Sequence, residues 1–311
     1  MLAELRAGHD RRSLSAEQVA KYDRDGYVLP ALRAFSADEA RALRAEVESL
    51  EVTEGKRADA VLNHGHVRFP FMHKLVTCPA ILDAVQDLIG PDILVWSTMV
   101  FPKEPGSEAY VAWHQDSNYW GLTPLDGVVT AWVALADVHE ENGPMEFLPG
   151  SHLKDPEPQE ETYNPDNLLS RGQEIKWREP IDPAAVVKAT MKAGEFSLHH
   201  VKIAHASGPN RGTDRRLGVA IRYMPARTRS VHAEEVAMLV RGQTEPGSFT
   251  FESPPASAED PDAVEQLRRS REIKDKNMMA GADMGRFEAK RKLAADKNVP
   301  SHIKSQKTED A

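Results

Sequence analysis

Residues 128–152, VVTAWVALADVHEENGPMEFLPGSH, hold two apolar runs separated by turn signals. Residues 128–136 are rich in apolar and β-branched residues with no breaker, which predicts a strand. Asn142-Gly143 marks a turn, residues 145–148 a second short strand, and Pro149-Gly150 another turn. Runs of the same texture recur at 93–101, 195–198 and 217–223, with further turn signals at Ala193-Gly194 and Arg211-Gly212. Helical periods do not alternate with these strands. That argues against a parallel βαβ sheet and for an antiparallel β-structure, for which a double-sheet jelly roll is one arrangement.

Upstream, the period changes. Ser15 with Gln18 and Ser36 with Glu39 form capping-box patterns, each opening a helix. Asp25-Gly26 ends the first helix, and residues 27–29 read as a short strand. Leu43, Val47 and Leu50 lie on one face of the second helix. A third helix has Pro79 in its first turn, Ile81, Val85 and Leu88 on one face, and Gly90-Pro91 as its stop. Helices first and strands after predict an α+β chain with N-terminal helices flanking a β-core. Residues 154–192 are polar and contain proline, and read as an insertion over one mouth of that core. Residues 1–256 form the expected main domain. Residues 257–311 carry 12 Lys/Arg against 11 Asp/Glu and are expected to form a peripheral, charged helical tail whose last dozen residues are disordered.

Composition removes several function classes. The net charge of −9 is borne by residues 1–256, which disfavours phosphate neutralisation and so a nucleic-acid partner. Without a run of 18 apolar residues, no membrane span is expected. The opening Met1-Leu2-Ala3-Glu4-Leu5-Arg6 carries charge too early for a signal peptide. One cysteine, Cys78, forms no internal disulfide and no thiolate zinc cluster, so a reducing, cytoplasmic setting is expected.

The chemistry rests on which of the twelve histidines converge. In His114-Gln115-Asp116, residues i and i+2 of a strand face the same way and could share one metal. The tripeptide alone has little specificity, but Trp113, Tyr119 and Trp120 surround it with the aromatic bulk of a cavity wall. A distant histidine would complete a two-histidine, one-carboxylate set with open positions, the arrangement of non-heme iron oxygenases. His199 and His200 point to opposite faces, so at most one of them enters a given cavity. His205 ends an apolar stretch just before a turn, and Arg216, eleven residues on, has the fork that grips a carboxylate. Arg211, Arg215, Arg222, Arg227 and Arg229 form a possible basic cluster for a phosphate-rich substrate, but strand alternation scatters them.

Four stretches in order, SAEQVAKYDRDGYVL (15–29), TMVFPK (98–103) followed by WHQD (113–116), TAWVALADVHEENGPMEFLPGSH (130–152) and HASGPNRGTDRRLGVAIRY (205–223), resemble the phytanoyl-CoA dioxygenase family of Fe(II)/2-oxoglutarate oxygenases. The resemblance implies a double-stranded β-helix, or cupin-like jelly roll. It implies His114, Asp116 and His205 as iron ligands and Arg216 as the binder of the far carboxylate of 2-oxoglutarate, with Ser207 beside it. Met99 and Trp132 match positions lining the cosubstrate pocket, and a contact near residues 63–68 is expected without a residue assigned. Asn142, Gly143 and the segment 149–152 match turn positions, so His152 is expected to be structural. The implied reaction consumes dioxygen, converts 2-oxoglutarate to succinate and CO2, and oxidises a C–H bond of a small molecule. Family members that halogenate carry a small residue where Asp116 stands, so hydroxylation, desaturation or ring chemistry is implied here. Tyr119, Trp120 and residues 154–192 are the expected substrate contacts. Two other readings stay open on the residues alone: a non-catalytic small-molecule binder on the same fold, and a metal dioxygenase that does not use 2-oxoglutarate.

Overall fold

The computed structural model describes residues 13–245, 247–295, 300, 302 and 303. Helix α1 (Ala16–Asp25) and, after strand β1 (Tyr27–Arg33), helix α2 (Ala37–Glu54) open at the two expected capping boxes. Each Ser hydroxyl accepts the N3 amide, and each N3 side chain accepts the Ser amide. Helices α3 (Ala58–Leu62) and α4 (Pro70–Val76) follow. They are too short to show a helical period in sequence, which is why the pattern did not predict them. Helix α5 (Pro79–Ile89) has proline in its first turn and stops at Gly90, as expected.

The β-part comprises β2 (Ile93–Lys103), β3 (Val111–His114), β4 (Leu122–Thr123), β5 (Val129–Ala134), β6 (Met145–Phe147), β7 (Gln159–Glu161), β8 (Gln173–Ile175), β9 (Val187–Ala189), β10 (Glu195–His200), β11 (His205–Ser207), β12 (Arg216–Pro225), β13 (Arg229–Ser230), β14 (Val236–Arg241) and β15 (Thr250–Phe251). A seven-stranded sheet runs β1-β10-β5-β12-β2-β14-β15, antiparallel except for the β14–β15 pair. A four-stranded sheet runs β3-β11-β6-β9. Strand β9 lies inside the stretch expected to be an insertion, so only the residues before it, with the β7–β8 hairpin, stand outside the two main sheets.

Strand β12 shows how the sheet divides the molecule. It is buried along its whole length and pairs with β5 on one side and β2 on the other. Leu217, Val219, Ile221 and Tyr223 point to the helices, where they join Val47, Leu62, Met72, Ile81 and Leu88 in one core. Arg216, Ala220 and Arg222, a step out of phase, line a cavity between the sheets. A second core of Trp132, Ala134 and Ala220 from the large sheet and Met145, Phe147 and Ala189 from the small one closes the inner layer.

The C-terminal helix α6 (Pro261–Met278) is helical as expected but not peripheral. It buries Leu267, Ser270, Ile273 and Lys274 against the body, and α7 (Met284–Ala295) follows it. Most of the last dozen residues fall outside the described residues, but His302 bonds the Glu51 carboxylate at 2.9 Å. Glu51, wholly buried in α2, also takes both guanidinium nitrogens of Arg215 at 2.7 Å and the Ala58 amide at 2.6 Å. This pair pins the start of β12 and so fixes the direction of Arg216. Substituting Glu51→Ala strands the buried Arg215 charge and should cost about 3 kcal/mol of stability in urea unfolding. A loss under about 1 kcal/mol would mean that Glu104, 2.7 Å from Arg215, suffices as its partner.

Candidate active site

Strand β11 pairs antiparallel with β3 so that His205 stands directly opposite His114. Their ring centroids are 4.1 Å apart. Strand β3 ends at His114, and Asp116 begins a single 3-10 turn rather than continuing the strand. Gln115 between them keeps extended dihedrals, φ −123° and ψ 122°, so the i, i+2 relation survives the break. The Asp116 carboxylate lies 3.4 Å from His114 Nε2, and one donor atom from each of the three residues falls within 4.8 Å of the others. His205 opens β11, between the turn at 200–203 and the loop of residues 208–215 that the sequence pattern expected after it.

The outer shell fixes which nitrogen is offered. His114 Nδ1 donates to Ala112 O at 2.9 Å and His205 Nδ1 to Ile203 O at 3.0 Å, which leaves both Nε2 atoms as acceptors. Burial and the neighbouring His114 push the His205 imidazole down to about 4, so it stays neutral near pH 7. Burial opposes ionisation of Asp116, but its contact with His114 and the nearby His205 and Arg222 outweigh it and hold the carboxyl well below its usual range. Two imidazole nitrogens and one carboxylate on one face are the donor set of a first-row divalent metal with open positions. The residues fit such an ion.

Arg216 sits at the far end of the same cavity, wholly buried. Its guanidinium lies 4.7 Å above the Trp132 ring and donates to Ser207 Oγ at 3.1 Å, while its Nε has no partner. Burial alone pushes it down to about 9, the mark of a cation with no carboxylate beside it. The Ser207 hydroxyl donates to Gly143 O at 2.8 Å and accepts from Lys103 and Arg216, so it holds the cations in place. Gly218 makes room for the Trp132 indole: a Cβ there would stand 2.0 Å from it. Gly143, at φ 72°, lies so close to Gly208 that a Cβ would stand 2.2 Å from that carbonyl, which explains the Asn142-Gly143 turn.

The cavity measures about 50 Å³ and is lined by the three donors, Trp132, Arg216, Val111 and Met145, among others. Met99 does not line it but lies 3.9 Å from Arg222 Nη2. Tyr119 and Trp120, expected to touch substrate, do not line it either. Trp120 packs on Trp96 at 4.8 Å and carries the Arg222 guanidinium at 5.1 Å, and Tyr119 carries that of Arg171. From residues 154–192, Leu169 reaches the cavity, and Gln115 ties the segment down through Glu157 N and the Gln159 side chain. Of the adjacent pair, His199 enters the cavity and His200 turns to Tyr22 and His152. His152 binds Asp23 O at 3.2 Å, and Ser151 Oγ accepts Ala204 N, so the 149–152 turn anchors α1 to the start of β11.

The sequence reading missed Lys103 and Thr130 as members of this site, left His199 and His200 undecided, and named Arg222 only within a scattered basic cluster. Parity would have found them. Lys103 pairs with Arg216 across β2–β12, and Arg222 lies six residues, three inward steps, beyond Arg216. The other arginines of the supposed basic cluster are engaged elsewhere: Arg211 with Glu108, Arg215 with Glu51, Arg227 with Asp126 and Arg229 with backbone carbonyls.

The phytanoyl-CoA dioxygenase (PhyH) family model matches residues 9–218. The chain belongs to the phytanoyl-CoA dioxygenase family. It is an iron- and 2-oxoglutarate-dependent dioxygenase. Over 220 residues it is 31% identical to a probable alpha-ketoglutarate-dependent hypophosphite dioxygenase of Stutzerimonas stutzeri, covering 68% of this chain and 72% of that protein. It is 27% identical over 257 residues to the L-proline trans-4-hydroxylase of Streptomyces griseoviridis, covering 73% and 92%. The solved structure of the non-heme monooxygenase ThoJ in its apo form is 35% identical, covers 84% of this chain and 97% of its own, and superposes with a TM-score of 0.74.

On the opposite face of the large sheet lies a second buried group in this PhyH-family chain. His64 Nε2 meets Glu252 Oε1 at 2.6 Å, His66 Nε2 stands 3.8 Å from Glu252 Oε2, and Thr98 and Ser270 complete the set. Ser270 and nearby Lys274 come from α6, so the group docks that helix on the core. Burial and His64 push the His66 imidazole down to about 4, so it is neutral in the fold.

Two expectations follow from these contacts. In the unfolded chain His66 takes a proton near pH 6.5, so the fold loses about 3 kcal/mol as pH falls from there toward 4. His66→Asn should flatten that part of the stability–pH curve, and an unchanged slope would refute a neutral His66. Gly218→Ala should displace the Trp132 indole and weaken 2-oxoglutarate binding by tenfold or more in calorimetric titration of the anaerobic iron-loaded protein, with the melting transition still cooperative.

Proposed function

We propose that the chain hydroxylates an unactivated C–H bond of a small soluble molecule, with 2-oxoglutarate converted to succinate and CO2. One observation carries this reading: a buried two-histidine, one-carboxylate set and an unneutralised arginine share one small cavity. Bound iron, with dioxygen and the cosubstrate, supplies the oxidising power for an aliphatic C–H bond. Everything else is the work of the chain. His114 and His205 offer their Nε2 atoms, and Asp116 offers an ionised oxygen. Arg216, held by Ser207, takes the far carboxylate of 2-oxoglutarate and sets its direction. Trp132, Val111, Met145 and Leu169 exclude bulk water from the reacting atoms.

The carboxylate of Asp116 fills the place that a halogenating site leaves free, so we read the outcome as hydroxylation. The intact donor set and Arg216 favour this over a non-catalytic binder or a dioxygenase without 2-oxoglutarate. We read the two sheets as the facing halves of a double-stranded β-helix, and residues 261–278 as part of the same domain. The single buried cysteine and the iron-ready donors suit a reducing compartment such as the cytoplasm. Among the described residues no helix is long and apolar enough to cross a membrane.

The test is succinate formation from 2-oxoglutarate with Fe(II), ascorbate and air. Asp116→Gly should lower iron affinity and abolish hydroxylation. Iron-dependent hydroxylation surviving unchanged in that variant would remove Asp116 from the metal site. Iron binding without any 2-oxoglutarate turnover in the parent protein would favour the non-catalytic alternative.

A further inference from the structure

Four polar residues form one rung across the inner face of the large sheet. His199 on β10 pairs with Thr130 on β5, Thr130 with Arg222 on β12, and Arg222 with Ser97 on β2. A core rung is ordinarily apolar, and buried polar groups are ordinarily satisfied. Here both ring nitrogens of His199, the Thr130 hydroxyl and Arg222 Nε are buried without a partner. Arg222 makes only a 3.3 Å contact to Ser97 Oγ and a 3.9 Å contact to Met99 Sδ, and stacks on Trp120. Among the described residues no carboxylate lies within 4 Å of it. Leaving such groups empty costs stability, so a cavity that keeps three of them side by side is built for something that enters.

We propose that Arg222, Thr130 and His199 are the substrate-binding end of this cavity and grip an oxyanion, a carboxylate or phosphorus oxyanion, on the small molecule that is oxidised. The proposal rests on the oxygenase reading above and names its substrate class. The geometry separates this end from the cosubstrate end. Arg216 and Arg222 lie on one face of one strand, six residues and so about 20 Å of strand apart. Arg216 donates to Ser207, beside Lys103, whereas Arg222 lines the cavity with Asp116. Charge gives the second argument. A divalent metal with Asp116, Arg216 and Arg222 carries an excess of positive charge that the dianionic cosubstrate does not fully cancel. A monoanionic substrate cancels the remainder, and a cationic one would add to it. The cavity is about 50 Å³ and is shared with the cosubstrate, which restricts the substrate to a small molecule.

The experiment titrates the anaerobic protein loaded with Fe(II) and 2-oxoglutarate. The probes are hypophosphite and short carboxylic and phosphonic acids, each carboxylic acid paired with its neutral methyl ester or amide and each phosphonic acid with its neutral dimethyl ester. Every compound that binds is expected to be an acid, at least tenfold tighter than its neutral partner. Arg222→Gln is expected to remove that preference, and Arg222→Lys to retain part of it. Neutral partners binding as tightly as the acids, or no acid binding while 2-oxoglutarate does, would overturn the proposal. A 2-oxoglutarate titration on Arg222→Gln guards against a folding defect: loss of cosubstrate and acid binding together would make Arg222 a structural residue and equally overturn it. Failure of the parent protein to bind 2-oxoglutarate at all would instead overturn the oxygenase reading on which this one stands.

Discussion

The cross-strand register that sets His205 opposite His114 is the constraint on which the rest depends. A slip of one residue would turn one imidazole out of the cavity and bring a neighbour in, and no side-chain adjustment could restore the site. The molecule therefore fixes that register from several directions. Ser151 takes the amide of Ala204, the residue before His205, and Ser207, two residues after, is bound to Gly143 and Lys103. Strand β6 pairs with the other edge of β11 over the same three residues. The 149–152 turn is tied in turn to α1, through Gly150 N on Asp25 O and His152 on Asp23 O. A helix at the start of the chain and a strand two hundred residues later thus constrain one imidazole.

The same economy explains why β12 is polar on its inner face. Its outer side chains meet the helices and are apolar, so the strand reads as core from either neighbour. Its inner side chains carry cations at both ends and small residues, Gly218 and Ala220, between them. The small residues admit Trp132 from β5, whose ring fills the middle of the cavity and supports Arg216. Polar chemistry in this protein stands on rigid central strands and not on mobile loops, which keeps its geometry within the tolerance that catalysis needs.

Much of this was legible in the sequence, and the limits have physical causes. Capped helices and continuous apolar strands announce themselves because their signals are local: Ser15 with Gln18, Pro79 with Gly90, residues 128–136. The donors His114, Asp116 and His205 were legible through spacing joined to resemblance, since residues ninety positions apart show no local sign of meeting. Lys103 was missed, and Arg222 was placed only in a scattered cluster, because a charged residue in an apolar strand reads as a solvated edge until its neighbours on both sides are known. Tyr119 and Trp120 were assigned to substrate because aromatic bulk beside a metal pair looks like a wall. They stand one layer behind it, Trp120 as the platform for Arg222. Helix α6 looked peripheral because its exposed face is densely charged, which hides Leu267, Ile273 and the buried Lys274 on the other.

The electrostatics of the cavity imply an order among its ligands. Without ligands it holds one carboxylate, Asp116, against Arg216 and Arg222, each pushed toward losing its proton by burial. In a low-dielectric pocket that balance opposes entry of a bare cation. On the function proposed above, a dianionic cosubstrate reverses it, because its far carboxylate would neutralise Arg216 while its other end would add donors beside His114, Asp116 and His205. On that reading metal and cosubstrate strengthen each other's binding, by the reciprocity that any coupling free energy obeys. The uncompensated arginines that make the empty site costly are the source of that coupling. Stability given up in the ligand-free fold returns as cooperation between the groups that fill it.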